Sequence, residues 1–116
     1  MDDTADSLTI QSSDLDGALL MVLRGEIDLR SAPALRAHLL EALDDRPARV
    51  ILDLSAVEYV DSSGVGTMVD FKRRIDKLGA VVLLVGLQER VRSVFEITRL
   101  DKFFQIVDNV EQARGR

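Results

Sequence analysis

Two short runs of the chain, Val50-Ile51-Leu52-Asp53-Leu54 and Ala80-Val81-Val82-Leu83-Leu84-Val85, are almost wholly apolar. A strand of that kind has no polar side to turn to water, so both of its faces must be covered. Between them, Met68, Phe71, Ile75 and Leu78 recur at alternating spacings of three and four, with Val65 and Val69 beside them. That is the apolar stripe of an amphipathic helix. Strand, helix and strand in this order make a crossover between parallel strands, which is right-handed. Whatever else the chain does, it must build around such a unit.

The flanking segments extend the pattern. Leu8-Thr9-Ile10-Gln11 alternates apolar and polar, Asp14-Leu15-Asp16-Gly17 is a turn cluster, and the apolar run Leu19 to Leu23 stops at Gly25. These predict a β-hairpin. A first helix is expected from Ser31 as N-cap, Pro33 in the first turn and Leu35, Leu39 and Leu43 on one face; Asp44-Asp45-Arg46-Pro47 ends it. The loop Ser55 to Asp61 leads to the second helix, which closes at Gly79. A third helix is expected over residues 88 to 97, a last strand at Phe103-Phe104-Gln105-Ile106-Val107, and a short helix over 108 to 113. The fold class is therefore α/β: a single domain with a mixed, mostly parallel sheet of four to five strands and three to four helices. Ala80 to Val85 is its expected central strand. Residues 1–7 are expected as a flexible tail, residues 8–113 as the domain and residues 114–116 as a C-terminal tail.

Composition narrows the function classes. At 116 residues the chain is one domain of ordinary size. It has no cysteine, which removes disulfides, thiolate zinc sites and thiol nucleophiles. Its net charge of −5, from 20 acidic and 15 basic residues, opposes broad nucleic-acid binding. The longest apolar stretch falls far short of the ~20 residues of a membrane span. Met1-Asp2-Asp3-Thr4 lacks the basic and apolar regions of a signal peptide. The expectation is a cytoplasmic protein without a membrane or nucleic-acid partner.

In open α/β sheets, sites gather beyond the carboxyl ends of strands. Two segments stand there: Gly25-Glu26-Ile27-Asp28-Leu29-Arg30-Ser31 and Asp61-Ser62-Ser63-Gly64-Val65-Gly66. The second has the pattern of a helix N-terminus, and its plainest role is a cap. The alternative is a hydroxyl that is modified, since the free N–H groups and positive end of a helix tolerate a phosphate. Enzymatic readings are weaker. His38 is the one histidine and sits beside the apolar stripe of the first helix. Asp53 and Asp61 lack a third strong metal ligand at an evident spacing. Gly64-Val65-Gly66 is not part of a Gly-x-x-x-x-Gly-Lys-Ser/Thr loop. Arg90, Arg92 and Arg99 read as a solvated face. No catalytic residue, metal or cofactor is expected.

The stretch Leu54-Ser55-Ala56-Val57-Glu58-Tyr59-Val60-Asp61-Ser62-Ser63-Gly64-Val65-Gly66 resembles the signature of STAS domains, specifically of bacterial anti-sigma factor antagonists. Gly25-Glu26-Ile27-Asp28, the Gly86 turn and the helix from Val91 to Ile97 are similar in placement to further landmarks of that family. The resemblance implies partner switching. An unmodified antagonist binds an anti-sigma factor that is also a serine kinase with a histidine-kinase-like ATPase fold, and so frees the sigma factor. The kinase phosphorylates the first serine of Asp-Ser-Ser-Gly, here Ser62, and the modified antagonist is ejected. A metal-dependent serine phosphatase resets it. Ser63 is the secondary candidate acceptor. By position, Asp28, Arg30 and Ser31 would join Asp61, Ser63, Gly64, Val65 and Met68 in the partner-binding surface. On this reading Asp28→Ala costs partner affinity and leaves the melt unchanged. A second reading stays open at this point: a STAS scaffold or accessory subunit of a stress-sensing or lipid-transport complex.

Overall fold

The computed structural model describes residues 3–5 and 7–115. The chain runs β1 (Asp3–Ala5), β2 (Leu8–Leu15), β3 (Ala18–Ile27), α1 (Ala32–Asp44), β4 (Arg49–Val60), α2 (Ser62–Lys77), β5 (Val81–Val85), α3 (Glu89–Ile97), β6 (Gln105–Val107) and α4 (Val110–Arg114). The strands lie in one sheet in the order β1-β2-β3-β4-β5-β6. The first two pairings are antiparallel and the remaining three are parallel. The hairpin and the three crossovers stand where the sequence places them.

Each crossover advances the sheet by one strand in the same direction, so right-handed connections stack α1, α2 and α3 on one face. The main core lies there. Met21 and Leu23 of β3, Val50, Leu52 and Leu54 of β4, and Val82 and Leu84 of β5 meet Leu35, Leu39, Met68, Phe71, Ile75, Val91 and Phe95 of the helices. Successive strand residues point to opposite faces, so Ile51, Leu83, Val85 and Val107 form a smaller cluster on the other side, closed by Ala113 of α4. This two-sided cover is why β5 and the Val50–Leu54 part of β4 carry almost no polar residues.

Four expectations are corrected. The sheet has six strands rather than four to five, because Asp3–Ala5, in the stretch expected as a tail, pairs with Leu8–Ile10. Its central strands are β3 and β4; β5 is interior but lies next to β6 at the edge. The apolarity of β5 reflects cover on both faces of a five-residue strand, not a central place. Residues 55–60 are not a loop: β4 continues to Val60, pairing with Arg24–Ile27 past two register shifts. Phe103 and Phe104 precede the last strand instead of starting it. Phe104 stacks on Phe95 with ring centroids 5.5 Å apart, so its side chain closes the helix layer.

Leu84 is fully buried at the centre of the main core. Truncating a buried leucine leaves a cavity and costs ~2–5 kcal/mol. Leu84→Ala should therefore lose that much in chemical denaturation, a large part of a stability of ~5–15 kcal/mol. A midpoint equal to that of the parent chain would contradict the assignment of β5 to the core.

Candidate functional site

Because β4 reaches Val60, Asp61 stands directly between a strand end and a helix start. Its backbone N–H donates to Ile27 O at 3.0 Å, which continues the β3–β4 pairing by one more bond. Its side chain is the N-cap of α2: Oδ1 accepts from Gly64 N at 3.0 Å. Its other oxygen, Oδ2, accepts from Leu29 N at 3.1 Å, across 32 positions of sequence. One carboxylate thus caps a helix and pins the loop that leaves β3. Gly64 completes the joint. A Cβ there would lie 2.4 Å from Ile27 Cγ2 and 2.7 Å from Ile27 O, so only glycine lets α2 rest against the end of β3.

The loop after β3 is held by a second carboxylate. Asp28 Oδ1 accepts from Arg30 N at 3.0 Å, Ser31 N at 3.1 Å and Ser7 Oγ at 3.2 Å. Its Oδ2 takes the Arg30 guanidinium at 2.9 Å, and that guanidinium also bridges to Glu26 at 3.0 Å. The hydrogen bond from Arg30, then that from the Ser31 backbone, outweigh the cost of burial and hold the Asp28 carboxyl at about 2. Ser31 occupies the N-cap position of α1 but makes no side-chain cap bond. Its hydroxyl turns back, donating to Glu26 O at 2.8 Å and accepting from Asp28 N at 2.9 Å.

The expected partner-facing residues therefore divide. Asp28 is only 8% exposed and Ser31 is fully buried. Gly64 is buried, and Val65 and Met68 belong to the main core. These five residues are buried and shape the site from behind. Because the Asp28 carboxylate holds Ser7, Arg30 and Ser31, Asp28→Ala is expected to lower the melt as well. Arg30 stays on the surface, Asp61 is half-buried, and Ser63 is half-buried with its carbonyl accepting from Thr67 Oγ1 at 3.0 Å. Ser62 is exposed, and its hydroxyl makes no hydrogen bond among the described residues.

Two surface features escaped sequence reasoning. Leu29, between Asp28 and Arg30, is 73% exposed. An isolated leucine inside a polar strand-exit loop, out of phase with every apolar stripe, was the available signal. Gly66, one helical turn beyond Ser62, is exposed, and a Cβ there would meet nothing within 4 Å. The other candidate groups lie elsewhere. Asp53 bonds to Ser55 within β4, eight residues before Asp61 and so ~26 Å away along an extended strand. His38 Nε2 contacts Ser12 Oγ at 3.0 Å, between α1 and β2. Among the described residues, no group of three histidine or acidic side chains is placed to hold a metal.

This joint of two loops, with a capping aspartate, a free serine and a tight glycine, can be compared with known proteins. Residues 9–113 match the STAS domain family. The chain belongs to that family. The anti-sigma-F factor antagonist RsfB of Mycobacterium tuberculosis is 31% identical over 111 residues, covering 93% of this chain and 88% of its own. The crystal structure of an anti-sigma factor antagonist from Mycobacterium paratuberculosis superposes with a TM-score of 0.87 at 30% identity, covering 95% of this chain and 93% of that one. SpoIIAA of Bacillus in its phosphorylated form shares the fold, with a TM-score of 0.70 at 22% identity over 92% of this chain and 99% of that one. This STAS domain thus groups with the anti-sigma factor antagonists. No helix among its described residues is long and apolar enough to cross a membrane.

Two predictions follow from the joint. Asp28 holds a folded value below its ordinary 3.8. A carboxyl lowered in the folded state stabilises above its ordinary value, and that contribution disappears as pH falls through the folded value. Asp28→Asn should therefore melt below the parent chain at pH 6, with the gap closing between about pH 4 and pH 2; a gap independent of pH would place the effect elsewhere. The glycines should respond in opposite directions. Gly64→Ala forces Ile27 to move and should cost ~1–3 kcal/mol, whereas Gly66→Ala should add up to ~1 kcal/mol through helix propensity. Denaturation midpoints of the two variants read this directly.

Proposed function

We propose that this STAS domain is a phosphorylation-controlled antagonist that binds an anti-sigma factor through the surface around Ser62. The observation that carries the reading is the state of the Ser62 hydroxyl. It is exposed and unbonded, yet it sits on a helix start that Asp61 and Gly64 fix in place. The names of the relatives supply the partner class, and the phosphorylated form of SpoIIAA supports modification on this fold. In the proposed cycle the unmodified chain engages an anti-sigma factor with serine kinase activity and displaces the sigma factor. The kinase transfers the γ-phosphoryl of ATP to Ser62 Oγ, whose proton is lost as ADP leaves. A serine phosphatase later hydrolyses the ester. Both oxygens of Asp61 accept backbone N–H groups, so its part in this reading is to position the helix start that carries Ser62.

Leu29 is joined to this corner through the Asp61 bridge and gives the surface an exposed apolar knob. An exposed leucine withholds ~1.5–3 kcal/mol of burial from the fold, which becomes available on docking. Phosphate acts oppositely in the two states. In the free chain it adds −1.5 to −2 charges, as phosphoserines do at neutral pH, at a helix start that favours an anion by ~0.3–1 kcal/mol. In the complex it must shed water against a surface shaped for a hydroxyl, and an unmatched buried charge costs several kcal/mol.

Calorimetric titration of the cognate anti-sigma factor tests this. Phosphorylation and Ser62→Asp should each weaken binding by about two orders of magnitude, the equivalent of ~2.8 kcal/mol, while both melts stay near that of the parent chain. Ser62→Ala should bind like the unmodified protein and resist ejection by ATP. Equal affinities for all forms would end the switch reading. Phosphate found on Ser63 alone would move the acceptor by one residue.

A further inference from the structure

At the end of α2 remote from Ser62, the C-terminal turns of α1 and α2 enclose a groove of about 570 Å³ lined by Leu43, Arg46, Asp70, Arg73, Arg74, Lys77 and Leu78. Its size falls within the range of sites that take a ligand or a peptide side chain. Of its four cations, Arg74 is matched inside the chain, by Asp70 at 2.9 Å. Asp70 also binds Arg36 at 3.0 Å, so its charge is already shared. The side chains of Arg46, Arg73 and Lys77 are exposed and make no ion pair or hydrogen bond among the described residues. The floor is apolar: Leu43 is half-buried and Leu78 is 41% exposed.

Cations near helix C-termini complement the helix dipole, and that suffices for Arg74 and Lys77. It leaves Arg46 unexplained. Arg46 directly follows the C-cap of α1 with φ at +47, in the left-handed region where glycine is the cheap choice. The fold therefore carries a strained arginine where a residue without a side chain would be favoured. What the arginine adds is a third unmatched cation on the rim of the groove. In a chain of net charge −5 this is a positive concavity opposed to the charge of the whole.

We propose that this groove docks an acidic, amphipathic segment of a protein partner, its carboxylates meeting Arg46, Arg73 and Lys77 and an apolar side chain resting on Leu43 and Leu78. The lining has no aromatic ring on which a nucleobase could stack, the concave shape does not fit a flat bilayer, and a bare phosphate has no use for the apolar floor. Lys77 lies 15 positions beyond Ser62 along α2, ~22 Å at helical rise. The groove can be occupied whether or not the serine is modified.

The test uses the full-length protein and a fluorescein-labelled synthetic peptide in which two leucines alternate with glutamates, read by anisotropy in 50 mM and 300 mM salt. Saturable binding is expected, weakened at least fivefold at the higher salt. The Arg73→Glu/Lys77→Glu pair should weaken it at least tenfold. Arg46→Gly should weaken it several-fold while the melt stays level or rises, which separates a docking role from a folding one. A peptide with serines in place of leucines should bind at least fivefold more weakly, and Ser62→Asp should bind the parent peptide normally. Absence of binding, equal binding by the charge-reversed pair, or binding of inorganic phosphate or phosphatidylglycerol vesicles that depends on the same residues while the peptide does not compete would overturn the proposal.

Discussion

The carboxylate of Asp61 sets the geometry on which the rest of the site depends. A strand end and a helix start each leave backbone N–H groups without a partner. Asp61 satisfies one from each of two segments, Gly64 N at the head of α2 and Leu29 N in the loop after β3. Its own N–H extends the β3–β4 ladder to Ile27. Three short bonds on one residue thus tie sheet, helix and loop into one rigid corner. Gly64 is the steric counterpart, since α2 can close on Ile27 only if no Cβ intervenes. Neither serine hydroxyl of the motif makes a hydrogen bond among the described residues, and Ser62 is the more exposed of the two.

The corner inverts the ordinary sorting of side chains. Two polar residues, Asp28 and Ser31, are turned inward, while an apolar one, Leu29, is turned out. Buried polar groups survive only when their bonds are made. Here the Asp28 carboxylate meets Ser7, Arg30 and Ser31, and the Ser31 hydroxyl meets Glu26 and Asp28. The network gives the exit loop of β3 a fixed shape without a hydrophobic core of its own. It thereby holds Leu29 out where packing alone would draw it in.

The fold was legible because its signals are periodic. The apolar runs of β4 and β5 and the stripe of α2 leave no architecture but crossovers on a covered sheet. What escaped was set by tertiary contacts. The C-terminal half of β4 looks like a loop because Glu58 and Tyr59 break the apolar run, yet Val57 and Val60 remain buried by pairing with β3 past a register shift. Phe103 and Phe104 look like strand residues because aromatic residues favour strands, but Phe104 is claimed by Phe95 of α3. At the site, Ser62 could be singled out because one segment carries both a cap pattern and a family signature. The orientation of Asp28 could not be read, because a carboxylate that binds a partner and one that binds its own loop have the same neighbours in sequence.

A corner this constrained has a consequence for how a modification can act. Phosphate on Ser62 would meet a helix end with modest favourable electrostatics, ~0.3–1 kcal/mol, and no nearby bond that depends on the hydroxyl. Nothing in that environment supplies the several kcal/mol needed to move a two-state equilibrium from one side to the other. A signal written on Ser62 must therefore be read locally, by whatever surface covers it, and not by a rearrangement carried through the core. The same rigidity makes α2 a spacer. Its N-terminal end presents the hydroxyl beside Leu29 and its C-terminal end presents Arg73 and Lys77, at a separation fixed by helical rise. Two partners, or two parts of one partner, can address these ends independently, because the helix between them has one face locked into the core by Met68, Phe71 and Ile75.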